Sequence, residues 1–262
     1  MGIIKLQFNQ AINYDEYAFA QKIIAHKFFE WIISKNIFNL ELKDTKKILE
    51  LGCGSGFLSE IILDYLIETG ITANLELADI SNNMLDMCKN KLSIIQHKNQ
   101  NQKNINVSYI NINAEYLKFN QNNSDIILSN MCMQWFDDIN LYIKNNITKV
   151  KYLAFTIPTS NSFKNWRQIH DELGIKCALH QLISPQIIKK YAHIKHLEFV
   201  NIPLEFQSIR HFIQHFKLIG AYDKKKLYSI SDLRKLIDYT QSKFLTNYEI
   251  AIVMCGNESE LG

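Results

Sequence analysis

Prolines are scarce, three in 262 residues, and glycines number only nine. That composition excludes fibrous and low-complexity chains. Net charge is small too: 29 Lys+Arg oppose 26 Asp+Glu, a formal balance of +3. A nucleic-acid partner is not expected from so weak a field, and no basic stripe interleaved with aromatics is present. The cysteines Cys53, Cys88, Cys132, Cys177 and Cys255 are odd in number and widely spaced, with no C-x-x-C. They suggest neither a disulfide framework nor a zinc site, and fit the reduced thiols of a cytoplasmic protein. No run reaches the ~18 apolar residues of a bilayer span. Residues 1–8 lack the basic-then-apolar pattern of a secretory signal. What the chain does have is apolar bulk, 47% of residues. At this length a core can bury about three quarters of the unfolded surface. One large soluble domain, or one domain with an insertion, is expected.

Apolar periodicity divides the first 158 residues into alternating elements. Residues 14–35 read as an amphipathic helix, with Asp15 and Glu16 at the positive end of its dipole. Short apolar runs at 46–51, 74–77, 105–112, 125–128 and 152–157 read as strands. Helical patterns lie between them at 57–68, 83–92 and 139–147. Such alternation implies right-handed βαβ units in a mostly parallel, doubly wound sheet covered on both faces. Beyond Pro158 the rhythm changes. Residues 161–196 and 205–241 read as a helical lid, interrupted by a strand near 197–204. A closing strand follows at 248–255. The expected domains are a core over 1–160, a lid over 161–241 and a closing segment over 242–262.

The chemistry-bearing signal is Glu50-Leu51-Gly52-Cys53-Gly54-Ser55-Gly56, a strand running into a glycine turn and then a helix. Glycines there let a ligand approach the backbone, and the helix N-terminus offers free N–H groups. The nicotinamide pattern G-x-G-x-x-G does not fit, because Phe57 stands where its third glycine belongs. Glu50 suits a cationic ligand and would repel pyrophosphate. Asp79 follows the next strand, where a carboxylate can accept two ribose hydroxyls, although a helix N-cap would use the same residue.

E-x-G-C-G-x-G resembles the first motif of class I S-adenosylmethionine-dependent methyltransferases. The resemblance implies a seven-stranded Rossmann-like sheet, with the cofactor held by Gly52, Cys53, Gly54, Gly56 and Glu50. It implies that Asp79 holds the ribose while Ile80 and Met84 flank the adenine. Asn113-Ala114-Glu115 would meet the adenine amino group, with Asn113 replacing the family's usual aspartate. Asn130 would face the methionine part of the cofactor, and Gln21 would approach it from the first helix.

Further segments are similar to the malonyl-acyl-carrier-protein O-methyltransferases of biotin synthesis. These are Phe8 to Asp15 with Ala18 and Gln21; Ser129-Asn130 with Gln134-Trp135; Ala154-Phe155-Thr156 with Ser162-Phe163; Lys217 to Ala221; and Leu245 to Glu249. That resemblance implies methyl transfer from S-adenosylmethionine to the free carboxylate of a malonyl thioester. Tyr14, Gln134, Trp135 and Lys217 are then the positioning residues, and no general base is expected. Lys217 could instead be a solvated surface lysine. Lys224, Lys225, Lys226, Arg210, Arg234 and Lys235 would offer a basic face to an acidic acyl carrier protein, or simply meet solvent. A monomer is expected, with no metal: His211 and His215 have helical spacing but no third ligand. Two other readings remain open from the residues alone. One is a methyltransferase for a quinone precursor or another small acid, and the other is a non-catalytic cofactor-binding protein.

Overall fold

The computed structural model describes residue 8 and residues 14–38, 45–99, 104–117, 124–219, 228–239 and 243–256. A short helix α1 (Tyr14–Tyr17) is separated from α2 (Phe19–Ser34) by Ala18. There follow β1 (Lys46–Leu51), α3 (Phe57–Thr69), β2 (Ala73–Asp79), α4 (Asn82–Lys98), β3 (Ile105–Asn111) and β4 (Ile126–Asn130). Next come α5 (Ile139–Asn146), β5 (Tyr152–Pro158), α6 (Lys164–Leu173) and α7 (Pro185–Ile188). The remaining elements are β6 (Ile194–Phe206), α8 (Ile209–Leu218), α9 (Ile230–Asp238) and β7 (Phe244–Gly256).

The seven strands among the described residues form one sheet in the order β3-β2-β1-β4-β5-β7-β6. β1 to β5 run parallel, whereas β7 pairs antiparallel with both β5 and β6. Parallel strands covered on both faces need apolar side chains throughout. In β1 this is met by Ile48, Leu49 and Leu51, each at most 1% exposed. The order reverses between β1 and β4, and an open α/β sheet offers its ligand crevice at that point, outside the carboxyl ends of the strands. On one face α2, α3 and α4 pack through Phe28, Ile32, Ile62, Leu66 and Leu92; on the other, α5 packs through Ile139 and Ile143.

The lid differs from a continuous helical layer. Within 161–196 only α6 and α7 are helical. Gly174 takes φ 64° and ends α6, and Ser184 caps α7 with Pro185 in its first turn. Residues 174–184 between them cross the sheet's end without regular structure, touching it through a bridge from Ile183 to Thr159. β6 is longer than its apolar core, because it is an edge strand whose polar residues alternate outward. Pro203 is tolerated there, where one side of the strand needs no donor.

An aromatic cluster holds the lid to β7: Trp166 and Phe212 have ring centroids 4.8 Å apart, Phe212 and Phe244 4.9 Å, and Phe163 and Phe216 5.1 Å. His170 adds a polar pin. Its Nδ1 donates to the Trp166 carbonyl at 2.8 Å, which leaves Nε2 to accept from the Tyr228 hydroxyl at 2.8 Å. The Tyr228 oxygen in turn accepts from the Ala178 N–H at 3.1 Å.

Candidate active site

Three glycines shape the turn after β1, with φ of 68° at Gly52, 53° at Gly54 and 92° at Gly56. Two of them serve close packing. A Cβ on Gly52 would lie 2.2 Å from the Cys132 sulfur, and one on Gly56 would lie 2.8 Å from that of Cys88. Gly54 is different: beyond its chain neighbours, no heavy atom of the described residues lies within 4 Å of where its Cβ would be. The open space belongs to a cavity of about 700 Å³, bounded by Gly52, Gly54, Asp79 and Met84. Ile80, Asn113 and Ala114 complete that side of its wall.

Asp79 is 8% exposed, and both its oxygens are engaged. Oδ2 accepts the Gly54 N–H at 2.9 Å and Oδ1 the Ser81 N–H at 2.8 Å. The N-cap of α4 is therefore not Asp79 but Ser81, whose hydroxyl accepts from the Met84 N–H at 3.2 Å. Burial raises the Asp79 pKa despite these bonds. Each oxygen keeps a further acceptor site, so two ligand hydroxyls would restore the solvation this carboxylate has lost. Asn113 folds its Oδ1 onto the Glu115 N–H at 3.2 Å. That bond shapes a short 3₁₀ turn.

The second cavity, about 590 Å³, shares Phe8, Met131 and Trp135 with the first and is bounded on its far side by Gln21, Gln134 and Tyr248. Met131 stands at the junction in a left-handed conformation, φ 54°, uncommon for a residue bearing a side chain. Thr156 holds it there. The Met131 N–H donates to the Thr156 hydroxyl at 3.0 Å, and that hydroxyl donates to Asn130 Oδ1 at 2.7 Å.

The comparisons with known proteins agree with this geometry. A family model described as a methyltransferase domain matches residues 49–150, the stretch from β1 to shortly before β5. Over that stretch the chain is similar to this family. It is 29% identical over 187 residues to the malonyl-[acyl-carrier protein] O-methyltransferase of Priestia megaterium, covering 70% of this chain and 61% of that protein. To the enzyme of the same name from Acetivibrio thermocellus it is 25% identical over 246 residues, covering 86% of this chain and 80% of that one. The chain thus spans about three fifths of the first relative's length and more of the second's. Among solved structures, a candidate methyltransferase of Bacillus halodurans shares the fold, with TM-score 0.54 and 9% identity over 85% of this chain and 97% of that one.

Not every residue expected at the site lies on the two cavities. Glu50, 1% exposed, points behind the glycine turn and accepts from the Ser59 hydroxyl at 2.5 Å. Burial raises its pKa well above the usual carboxylate range, and the Ser59 contact braces β1 against α3. Cys53 is buried as well. Its thiol is pushed up by hydrogen bonding with Cys88 and then by burial, the reverse of what a helix N-terminus alone would do. Gly56, Glu115 and Asn130 also shape the backbone around the cavities without lining them. Glu115 accepts the Asp137 N–H at 2.6 Å. Lys217 is exposed on α8 and lines neither cavity.

Tyr14 lies beside the cavities, its ring stacked on Phe57 at 6.3 Å and edge-on to Phe8 at 6.4 Å. Burial, then the charges of Asp79 and Asp15, raise its pKa, so its hydroxyl stays protonated. Tyr248 is held up in the same way, by burial and next by Tyr14. Sequence reasoning missed Met131, Cys132, Phe136 and His180. The last sits over Trp135 with ring centroids 5.1 Å apart. Nothing but the left-handed turn at Met131 and the irregular path of 174–184 brings them there, and neither leaves a motif. Gly220, Ala221, Lys224, Lys225 and Lys226 lie outside the described residues. Among those described, no group of three His, Cys, Asp or Glu could hold a metal, and no helix is long and apolar enough to cross a membrane.

Proposed function

We propose that this chain methylates the free carboxylate of a malonyl thioester borne by an acyl carrier protein, in early biotin synthesis, with S-adenosylmethionine as donor. The observation that carries the reading is the pair of cavities sharing Phe8, Met131 and Trp135, in a chain similar over 86% of its length to a protein named for this reaction. The first cavity fits the donor: Gly54 leaves room at the backbone, Asp79 offers two acceptor oxygens to a ribose, and Ile80 and Met84 flank an aromatic base. Held there, the donor supplies a methyl group made electrophilic by a sulfonium and leaves as S-adenosylhomocysteine.

The chain's own residues have modest chemical duties. A carboxylate is ionised near neutral pH, so no side chain need take a proton from it. Their work is orientation and the exclusion of water. Tyr14, protonated and beside Asp79, can donate one hydrogen bond to the acceptor without the tight ion pair that would blunt its attack. Trp135 and Phe8, edge-to-face at 6.3 Å, form the dry wall between donor and acceptor. Lys217, Arg210, Arg234 and Lys235 are carried on α8 and α9, two helices that touch, and this basic face suits an acidic carrier.

The test is mass analysis of malonyl-acyl carrier protein incubated with the enzyme and S-adenosylmethionine. A gain of one methyl ester is expected. Methylation of phenols or free small acids alone would overturn the proposal in favour of a different small-molecule acceptor. Growth of a biotin auxotroph lacking this step, once supplied with the chain, provides the cellular counterpart.

A further inference from the structure

Two glutamines on the wall of the second cavity each carry a buried oxygen left unanswered. Gln21 is 8% exposed, and its Oε1 is buried with no hydrogen-bond donor among the described residues. Gln134 Oε1 is in the same condition. The orientation of Gln134 is fixed, because its Nε2 donates to the Met131 carbonyl at 2.7 Å and so turns Oε1 away as a pure acceptor. The surrounding wall is apolar, including Phe163, Leu179, Leu182 and Phe216. A buried carbonyl oxygen without a donor has lost its hydration and received nothing in return. Two of them on one apolar cavity are a standing preference for a ligand that carries N–H groups.

Such oxygens repel a carboxylate, so the malonyl carboxylate does not belong beside them. It belongs at the junction near Met131 and Trp135, where the two cavities meet. Beyond the thioester, the acceptor continues outward as an arm of methylenes and secondary amides. Its methylenes match the apolar wall and its N–H groups match the two glutamine oxygens.

We propose that the second cavity seats the amide-bearing pantetheine arm of the acceptor, with Gln21 and Gln134 as its hydrogen-bond acceptors and specificity determinants. This rests on the malonyl-thioester reading for the identity of the arm. It also gives that reading a physical basis for rejecting free dicarboxylic acids, which bring no N–H to pair with either oxygen.

The experiment titrates the protein, saturated with S-adenosylhomocysteine, with pantetheine and with its ester analogue, in which oxygen replaces each amide N–H. Calorimetry on the wild-type protein should give pantetheine about a tenfold advantage over the ester, the size expected of one net hydrogen bond. In Gln134→Met and in Gln21→Met, each close in length to glutamine but apolar, that advantage should shrink. Equal affinity for the two probes, an advantage that survives in both variants, or no pantetheine binding at millimolar concentration would each overturn the proposal. The methyl-ester assay is read separately. Ester formation without an amide preference removes the arm seat alone, whereas amide preference without ester formation removes the malonyl reading and leaves the seat standing.

Discussion

His215 lies 4% exposed in the lid, its ring 5.2 Å from those of Phe19 and Phe206 and 5.3 Å from that of Phe216. Its Nε2 has no hydrogen-bond partner among the described residues. A cationic imidazolium is poorly housed there, and burial pushes the pKa down to about 4 from 6.5. The unfolded chain takes up this proton below pH 6.5, whereas the folded chain resists until about pH 4. The neutral histidine's contribution is therefore intact above pH 6.5 and is lost progressively as the pH falls to 4. At ~1.4 kcal/mol per pH unit the loss comes to about 3 kcal/mol. Replacing His215 by Phe keeps an aromatic ring in the slot and removes the titration. Urea unfolding of both proteins at pH 7 and pH 4 should show the variant's relative stability rising by about 3 kcal/mol on acidification. His170, Asp79 and Glu50 titrate in both proteins and cancel in the difference. Parallel pH profiles would refute the argument and show that the lid hydrates or protonates this site at little cost.

The two remaining substitutions separate donor binding from turnover. Asp79→Ala removes the carboxylate assigned to the ribose and should weaken S-adenosylmethionine binding by about 1–3 kcal/mol; unchanged affinity in calorimetry would remove that role. Tyr14→Phe should lower kcat for the methyl ester while cofactor affinity is nearly kept, and unchanged turnover would take the hydroxyl out of the acceptor site.

The core was readable in the sequence because each of its strands is bounded by its own chemistry. The apolar run at 46–51 ends in glycines, the next ends at Asp79, and the third ends near Asn113, so one side of the first cavity could be assembled from strand ends alone. What escaped is set by tertiary packing. Glu50 looks like a ligand in one dimension, but it lies on the α3 side of β1, where Ser59 meets it. The left-handed residues Met131 and Phe163, φ 54° and 57°, are neither glycine nor asparagine, so local propensity gives no warning of their turns. The stretch 174–184 has helical composition yet is stopped by Gly174 at one end and Pro185 at the other, and with that path His180 is delivered over Trp135.

The position of β7 bears on the order in which the molecule can be made. β7 is the last strand in sequence but not in space, since it fills the gap between β5 and β6. While residues 244–256 are still inside the ribosome, β5 has an open edge and β6 has no sheet to join. Glu249 must then close against Thr159 at 2.6 Å and Asn161 at 2.8 Å, groups translated nearly 90 residues earlier. Contacts of such long sequence separation slow folding. The first cavity can be assembled early, but the second, walled by Phe163 and Tyr248 together, comes into being only with β7.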